Sequence, residues 1–139
     1  FLALTTANFS LLPGAEDLVR YLAEKYPLTV VTNGFVEVQY EKFEKSGLRD
    51  CFTHIVLSEE VGCQKPNPHI FHEALRLNGL AAEDVLMIGD SWNSDIQGAI
   101  NAGIDQMWVN EKAMNDNEER MMHEATYVVK SLEEIKNIL

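Results

Sequence analysis

Two polar segments of the sequence carry residue types that can hold a phosphate group. Thr32, Asn33 and Gly34 offer a hydroxyl, a side-chain amide and a turn whose backbone N–H groups can converge on an anion. Lys65 lies in a loop that two prolines stiffen just before a predicted helix. An ammonium group near a helix N-terminus favours a dianion. Two alternatives stay open, because Asn-Gly also forms ordinary strand-ending turns and most lysines are solvated surface residues.

A third segment carries two carboxylates. Asp90 directly follows an apolar run that ends at Gly89, and Asp95 lies at the other end of a short polar loop. Mg²⁺ takes carboxylates together with water and substrate phosphate, so this segment predicts a magnesium site. The alternative is structural: Asp95 can cap the helix that follows, and Asp90 can simply turn the chain.

The elements that position these residues alternate between strands and helices. Short apolar, β-branched runs predict strands at residues 28–32, 52–57, 85–88, 107–109 and 127–129. Helical spacing of apolar residues predicts helices over residues 18–26, 36–46, 67–77, 96–100 and 131–139. Residues 111–123 are polar and acidic, which indicates a long loop or a surface helix. Repeated strand–helix units with short connections indicate an α/β fold, a Rossmann-like parallel sheet with helices on both faces.

Composition excludes several classes of protein. The 139 residues suit one globular domain, and 11 Lys and Arg against 22 Asp and Glu give a formal charge of -11. This charge argues against nucleic-acid partners and anionic membranes. No window approaches the roughly 18 apolar residues of a membrane span. With only two cysteines, Cys51 and Cys63, the chain has no disulfide framework, so we expect a cytoplasmic protein.

Taken together, the three segments resemble the second, third and fourth motifs of the haloacid dehalogenase superfamily of hydrolases. The resemblance implies that Thr32 binds the transferring phosphoryl group, that Lys65 orders nucleophile and phosphate, and that Asp90 with Asp95 holds Mg²⁺. It implies catalytic roles for Lys65 and Thr32, and substrate-binding roles for Thr32, Asn33, Gly34 and Lys65. The stretch from Thr32 to Pro66 looks most like the pyrimidine 5′-nucleotidase branch.

The first motif of that superfamily, a strand followed by Asp-x-Asp, does not occur in this sequence. In the family the first of these aspartates attacks phosphorus, and the second is the general acid and base. We therefore expect residues 1–12 to be a remnant of a cap domain or linker and residues 13–139 to be an incomplete core. The sheet is expected to lack its central first strand in this chain, between the strands that end at Thr32 and Asp90. A missing N-terminal segment or another chain would then complete it.

The expected function is magnesium-dependent hydrolysis of a small phosphomonoester, with a nucleoside 5′-monophosphate as the narrower expectation and with the isolated chain inactive. Two alternatives remain: a non-catalytic phosphate-binding or regulatory module, and a haloacid dehalogenase-type hydrolase. Dehalogenases need no magnesium and usually lack the Gly-Asp strand end, so Asp90 favours phosphate ester hydrolysis.

Overall fold

The structure is a computed structural model that describes residues 2–5, 14–35, 37–112 and 115–139. Its centre is a parallel sheet of six strands. The strands are β1 (Leu2–Thr5), β2 (Leu28–Thr32), β3 (His54–Leu57), β4 (Val85–Gly89), β5 (Asp105–Val109) and β6 (Tyr127–Val129). All five predicted strands are present, with ends that differ from the predicted ones by no more than two residues. β1 was not predicted.

The strand order is β3-β2-β1-β4-β5-β6. β1 therefore fills the central position, where Thr5 pairs with Val30 of β2 on one side and with Ile88 of β4 on the other. The expectation that this position is empty in this chain was wrong. The physical reason is that β2 and β4 each present backbone N–H and C=O groups to the gap, and an extended segment between them satisfies both rows.

The predicted boundary after residue 12 stays a prediction, because residues 6–13 lie outside the described residues. The expectation that a missing N-terminal segment or another chain completes the sheet also stays a prediction, although β1 occupies the central position that was assigned to it. Pro13, which precedes the first predicted helix, and Val36, which begins the second, are also outside the described residues.

The described residues include seven α-helices, of which the first six lie between strands and the last follows β6. They are α1 (Ala15–Ala23), α2 (Glu37–Lys45), α3 (Ser58–Val61), α4 (Pro68–Asn78), α5 (Gln97–Asn101), α6 (Asp116–Met121) and α7 (Leu132–Ile138). A π-helical turn at Trp92–Ile96 leads from β4 into α5. The predicted cap of α4 is confirmed, since the Asn67 side chain accepts a hydrogen bond of 2.9 Å from the His69 N–H. Within 111–123 the surface-helix alternative holds for α6.

Helices cover both faces of the sheet, as the sequence predicts, and each face has its own apolar core. Side chains of β2 alternate between the two cores: Val30 packs with α1 and α7, and Val31 packs with α4 and α5. The first core includes the buried Leu18 and Leu22 of α1, and the second includes the buried Phe71 of α4. No helix in the described part of the chain has both the length and the apolar character that a membrane crossing needs. Two packed faces hold the strand ends rigidly, which fixes where the polar segments meet.

Candidate active site

The polar segments come together where β2 and β4 end. Thr32 is the last residue of β2, Asp90 directly follows β4, and Lys65 lies in the loop between α3 and α4. The carboxyl ends of parallel strands share one edge of the sheet, which is where ligands bind in folds of this kind. Contacts between side chains then link the three segments into one site.

Lys65 and Asp95 form a buried ion pair at the centre of this site. The Lys65 Nζ lies 2.6 Å from the Asp95 Oδ1, and the two side chains are only 4% and 1% exposed. The Ser91 backbone N–H donates to the Asp95 Oδ2 at 3.2 Å, so both carboxylate oxygens have a partner. The alternative of a solvated surface lysine is therefore wrong. Asp95 is the counter-ion of Lys65, while Ser91 caps the π-helical turn by accepting from the Ser94 N–H.

Asn33 holds the backbone of Lys65 by a pair of hydrogen bonds. The Lys65 N–H donates to the Asn33 Oδ1 at 2.7 Å, and the Asn33 Nδ2 donates to the Lys65 carbonyl at 3.3 Å. The Asn33 carbonyl in turn accepts a hydrogen bond of 3.1 Å from the hydroxyl of Ser58, the buried first residue of α3. The amide predicted to bind substrate thus binds the loop that carries Lys65.

The buried Thr32 hydroxyl forms a local turn with Gly34. It donates to the Gly34 carbonyl at 2.9 Å, and the Gly34 N–H donates to it at 3.1 Å. Gly34 has φ +141°, a backbone conformation that favours glycine. The strand-ending turn is therefore present, and phosphate binding by Thr32, Asn33 and Gly34 stays a prediction.

Asp90 contrasts with Asp95 in its hydrogen bonding. Its Oδ1 is buried and has no hydrogen-bond partner among the described residues. Burial, together with the nearby Asp95 carboxylate, raises the pKa of Asp90 above its ordinary value of 3.8, and hydrogen bonds from the backbone N–H groups of Asp90 and Ser91, together with Lys65, oppose this shift only in part. The Asp90 backbone is well held, since the Trp108 Nε1–H donates to its carbonyl at 3.1 Å. Asp90 therefore presents negative charge that the surrounding protein compensates incompletely.

Two glycines allow the backbone segments around the ion pair to approach closely. A Cβ placed on Gly89 would lie 2.6 Å from both the Cβ and the Oδ2 of Asp95. A Cβ on Gly98 would lie 2.5 Å from the Phe71 ring and 3.1 Å from the Pro66 Cα. These distances are shorter than ordinary van der Waals contact, so a side chain at either position would force its neighbours to shift.

The structure brings all of the predicted site residues to one edge of the sheet, and it adds residues that the sequence did not single out. Ser58, Ser91 and Gly98 support Lys65 and Asp95 through the contacts described above. A serine after a strand and a glycine within a helical pattern are too common to reveal such roles. The one available signal was Gly89, which directly precedes an aspartate at a strand end.

The donors around Asp90 fit a magnesium ion in part. The unpartnered Asp90 oxygen is of the type that Mg²⁺ prefers, whereas both Asp95 oxygens are engaged by the protein. Among the described residues, no group of three or more His, Cys, Asp and Glu side chains is placed to hold a metal ion. Mg²⁺ commonly keeps several waters and needs only one or two carboxylates, so Asp90 is the residue that fits this ion.

Comparisons with known proteins agree with this architecture. Against curated sequences, the chain is 40% identical over 129 residues to the pyrimidine 5′-nucleotidase YjjG of Escherichia coli, which covers 92% of this chain and 56% of that protein. It is 38% identical to a glyceraldehyde 3-phosphate phosphatase of Methanothermobacter thermautotrophicus, with 89% of this chain and 56% of that protein covered. The chain thus spans a little over half the length of these relatives.

Among solved structures, the orthorhombic crystal form of YfnB from Bacillus subtilis, bound to magnesium, matches with a TM-score of 0.78 and 36% identity. The match covers 92% of this chain and 54% of that one. The family model for haloacid dehalogenase-like hydrolases matches residues 2–103, which is most of the chain. The likeness inferred from the three polar segments is therefore confirmed, and the chain belongs to the haloacid dehalogenase-like hydrolase family.

Proposed function

We propose that this chain forms the phosphate-binding and magnesium-binding part of a phosphomonoester hydrolase. The observation that carries this proposal is the contrast at the strand ends: the Lys65 ammonium group is buried and lies close enough to Asp90 to act on its pKa, and the Asp90 Oδ1 has no partner among the described residues. An ammonium and a carboxylate that can take a cation are the two features that binding of a phosphate dianion with Mg²⁺ requires.

Lys65 is the residue proposed to bind and orient the phosphate. Its side chain is held by Asp95 and its backbone by Asn33, so the ammonium group is positioned before a ligand arrives. Such preorganised charge stabilises a developing phosphoryl transition state more than a mobile side chain does. The Thr32 hydroxyl and the Gly34 N–H lie at the adjacent strand end, and both can turn to phosphate oxygens if their mutual hydrogen bonds open.

Asp90 is the residue proposed to hold Mg²⁺, with Asp95 close enough to Asp90 to raise its pKa. When bound, the ion supplies positive charge that neutralises the phosphate oxygens. Asp95 contributes by keeping Lys65 in place through the 2.6 Å ion pair. We retain Asp95 as a proposed metal ligand only in an arrangement in which Lys65 moves from Asp95 to the phosphate.

The proposed substrate is small. A pocket of about 320 Å³ opens beside Asp90, which is within the range that binds small molecules. Its lining includes Asp90, Trp108, Asn110, Glu111, Lys112 and Glu118. The relatives include a protein named as a pyrimidine 5′-nucleotidase and a phosphatase of a triose phosphate. We favour a nucleoside 5′-monophosphate, with the cytoplasm as the compartment because Cys51 and Cys63 are both free thiols.

The nucleophile is not among these 139 residues, since the sequence contains no Asp-x-Asp. We therefore propose that this chain alone binds phosphate and Mg²⁺ without hydrolysing an ester. A version extended upstream through an Asp-x-Asp segment, where the gene encodes one, is expected to hydrolyse p-nitrophenyl phosphate with magnesium. Turnover by the 139-residue chain itself would contradict the proposal of inactivity.

Calorimetric titration with MgCl₂ and inorganic phosphate tests the binding sites directly. Wild-type protein should bind magnesium, and bind phosphate more tightly in its presence. Asp90→Asn should lose the magnesium heat. Asp105→Asn is the matched control, because Asp105 is an exposed carboxylate at the opposite end of a neighbouring strand. Equal magnesium binding by Asp90→Asn and wild type would refute the assignment of Asp90.

A further inference from the structure

Asn33 is exposed, yet its side chain is committed to another residue's backbone. One planar amide satisfies both the N–H and the carbonyl of Lys65, with distances of 2.7 Å and 3.3 Å. A side-chain amide carries a donor and an acceptor fixed in one plane, as a backbone peptide group does. The Asn33 side chain therefore pairs with the Lys65 backbone in the way that a residue of a neighbouring strand would.

We propose that Asn33 is a positioning residue that acts through Lys65, anchored in turn by Ser58. This proposal rests on the proposed function only in assigning the Lys65 ammonium to phosphate. The sequence predicted that the Asn33 amide contacts substrate directly, whereas here the amide binds the backbone of Lys65. Its oxygen and one of its N–H groups are used within the protein, so its main effect is on where Lys65 lies.

The contacts form a continuous line across the edge of the sheet. The Ser58 hydroxyl donates to the Asn33 carbonyl at 3.1 Å, which ties the end of β3 to the end of β2. The Asn33 Oδ1 accepts a hydrogen bond from the Lys65 N–H, and the Lys65 Nζ lies 2.6 Å from the Asp95 Oδ1. Asp95 accepts from the Ser91 N–H just after β4. Lys65 is thus fixed at its backbone from one side of the site and at its ammonium group from the other.

A second contact restrains the same loop independently. Gly98 of α5 lies so close to Pro66 that an added Cβ would be 3.1 Å from the Pro66 Cα. This packing limits movement of the loop toward α5 but makes no polar contact with Lys65. The Asn33 hydrogen bonds therefore set the rotation of the Lys65 peptide groups, which determines where the side chain starts.

The test compares Asn33→Leu, which removes both hydrogen bonds, with Asn33→Asp, which keeps an acceptor for the Lys65 N–H. Two quantities are measured by mass spectrometry: hydrogen exchange of the Lys65 backbone amide, and acetylation of the Lys65 amine relative to the exposed Lys130 and Lys136. Asn33→Leu should raise both rates, the acetylation rate by about fivefold. Asn33→Asp should keep much of the amide protection.

The matched control is Asn78→Leu. Asn78 is also an asparagine whose amide makes two hydrogen bonds, to the Thr29 hydroxyl and the Ala74 carbonyl, but it lies at the far end of α4. The Asn78→Leu substitution should leave the Lys65 acetylation rate unchanged. If Asn33→Leu does not fold, Ser58→Ala removes the anchor one step away and should raise Lys65 acetylation in the same direction by a smaller factor.

A rise in amide exchange without a rise in acetylation would overturn the proposal, because Asn33 would then hold the loop without positioning the ammonium group. Failure of the proposed function has a different signature. In that case wild-type protein does not bind inorganic phosphate with magnesium, while Asn33→Leu still exposes Lys65 to acetylation.

Discussion

The two sides of the site differ in how completely their polar atoms are paired. On the lysine side, defined by Asn33, Lys65 and Asp95, the backbone of Lys65 and both oxygens of Asp95 have partners. On the aspartate side, defined by Asp90 and Trp108, the backbone carbonyl is paired, whereas the carboxylate Oδ1 has no partner among the described residues. The lysine side is thus assembled in advance, and the aspartate side retains charge for a cation.

This difference follows from the cost of burying charge. A buried charge is tolerated when an opposite charge and hydrogen bonds surround it, as at Lys65. A partly compensated carboxylate such as Asp90 instead holds its proton more tightly, which its raised pKa reflects. Substitutions on the lysine side should therefore destabilise the fold. Replacing Asp90 with a neutral residue should instead increase the stability of the fold.

The largest effect is expected from Lys65→Met. It leaves the buried Asp95 carboxylate without its cation, and removing one member of a buried pair typically costs about 3–5 kcal/mol. Urea unfolding measures the loss. The double variant Lys65→Met/Asp95→Leu should recover much of it, because no buried charge then remains.

The control for this prediction is Arg49→Met. Arg49 and Glu44 form an ion pair of 2.9 Å whose side chains are 52% and 42% exposed, so its loss should cost far less than the loss of the buried Lys65 pair. If Lys65→Met costs as little as Arg49→Met, water reaches the Lys65 pair and the contrast between the two sides fails.

Gly89→Ala should have an intermediate effect, because Gly89 packs against Asp95, the counter-ion of Lys65 on the lysine side. The added Cβ must displace Asp95 or the end of β4, and overpacking of this kind costs about 1–3 kcal/mol. Hydrogen exchange at the Ser91 N–H, which donates to the Asp95 Oδ2, should also rise.

Gly79→Ala separates this crowding from backbone strain. Gly79 has φ +63° with no atom within 4 Å of an added Cβ, so alanine there is strained without being crowded. It should destabilise the protein while leaving exchange at Ser91 unchanged. Unchanged Ser91 exchange in Gly89→Ala would mean that Asp95 does not depend on this close approach.

Much of the fold was predictable because strands buried on both faces have nearly continuous apolar sequences. All five residues of Leu28–Thr32 are buried, and so are all five of Val85–Gly89. β1 escaped prediction because the polar residues Thr5, Thr6 and Asn8 interrupt the apolar pattern at its end. Its place in the sheet is set by pairing with β2 and β4, which local pattern does not encode.

The location of the site was predictable for a topological reason. The hydrogen bonds and ion pairs within it were not predictable. Residues that follow parallel strands must meet at one edge, which placed Thr32, Lys65 and Asp90 together. Which side chain pairs with which depends on rotamers and on loop paths. The ion pair joins Lys65 to Asp95 across 30 positions, and the Asn33 contact spans 32. Separations of this size leave no periodic signal.

The smallest effect, and one of opposite sign, is expected from Asp90→Asn in magnesium-free buffer. Because the pKa of Asp90 is raised in the folded protein, the folded state binds this proton more tightly than the unfolded chain does. The wild type therefore loses stability as pH rises from the ordinary value of 3.8 through the raised pKa. The neutral amide of the variant does not titrate, so Asp90→Asn should be more stable than wild type near neutral pH by no more than about 1 kcal/mol.

Urea unfolding of both proteins across this pH range measures the difference, which should shrink toward zero as the pH falls below the ordinary pKa of 3.8. Magnesium then sharpens the comparison. A cation bound at Asp90 stabilises only the folded wild type, so the order of stability should reverse when magnesium is added. A variant that is less stable than wild type in magnesium-free buffer would show that the Asp90 carboxylate is already satisfied by the protein, and the aspartate side would then resemble the lysine side.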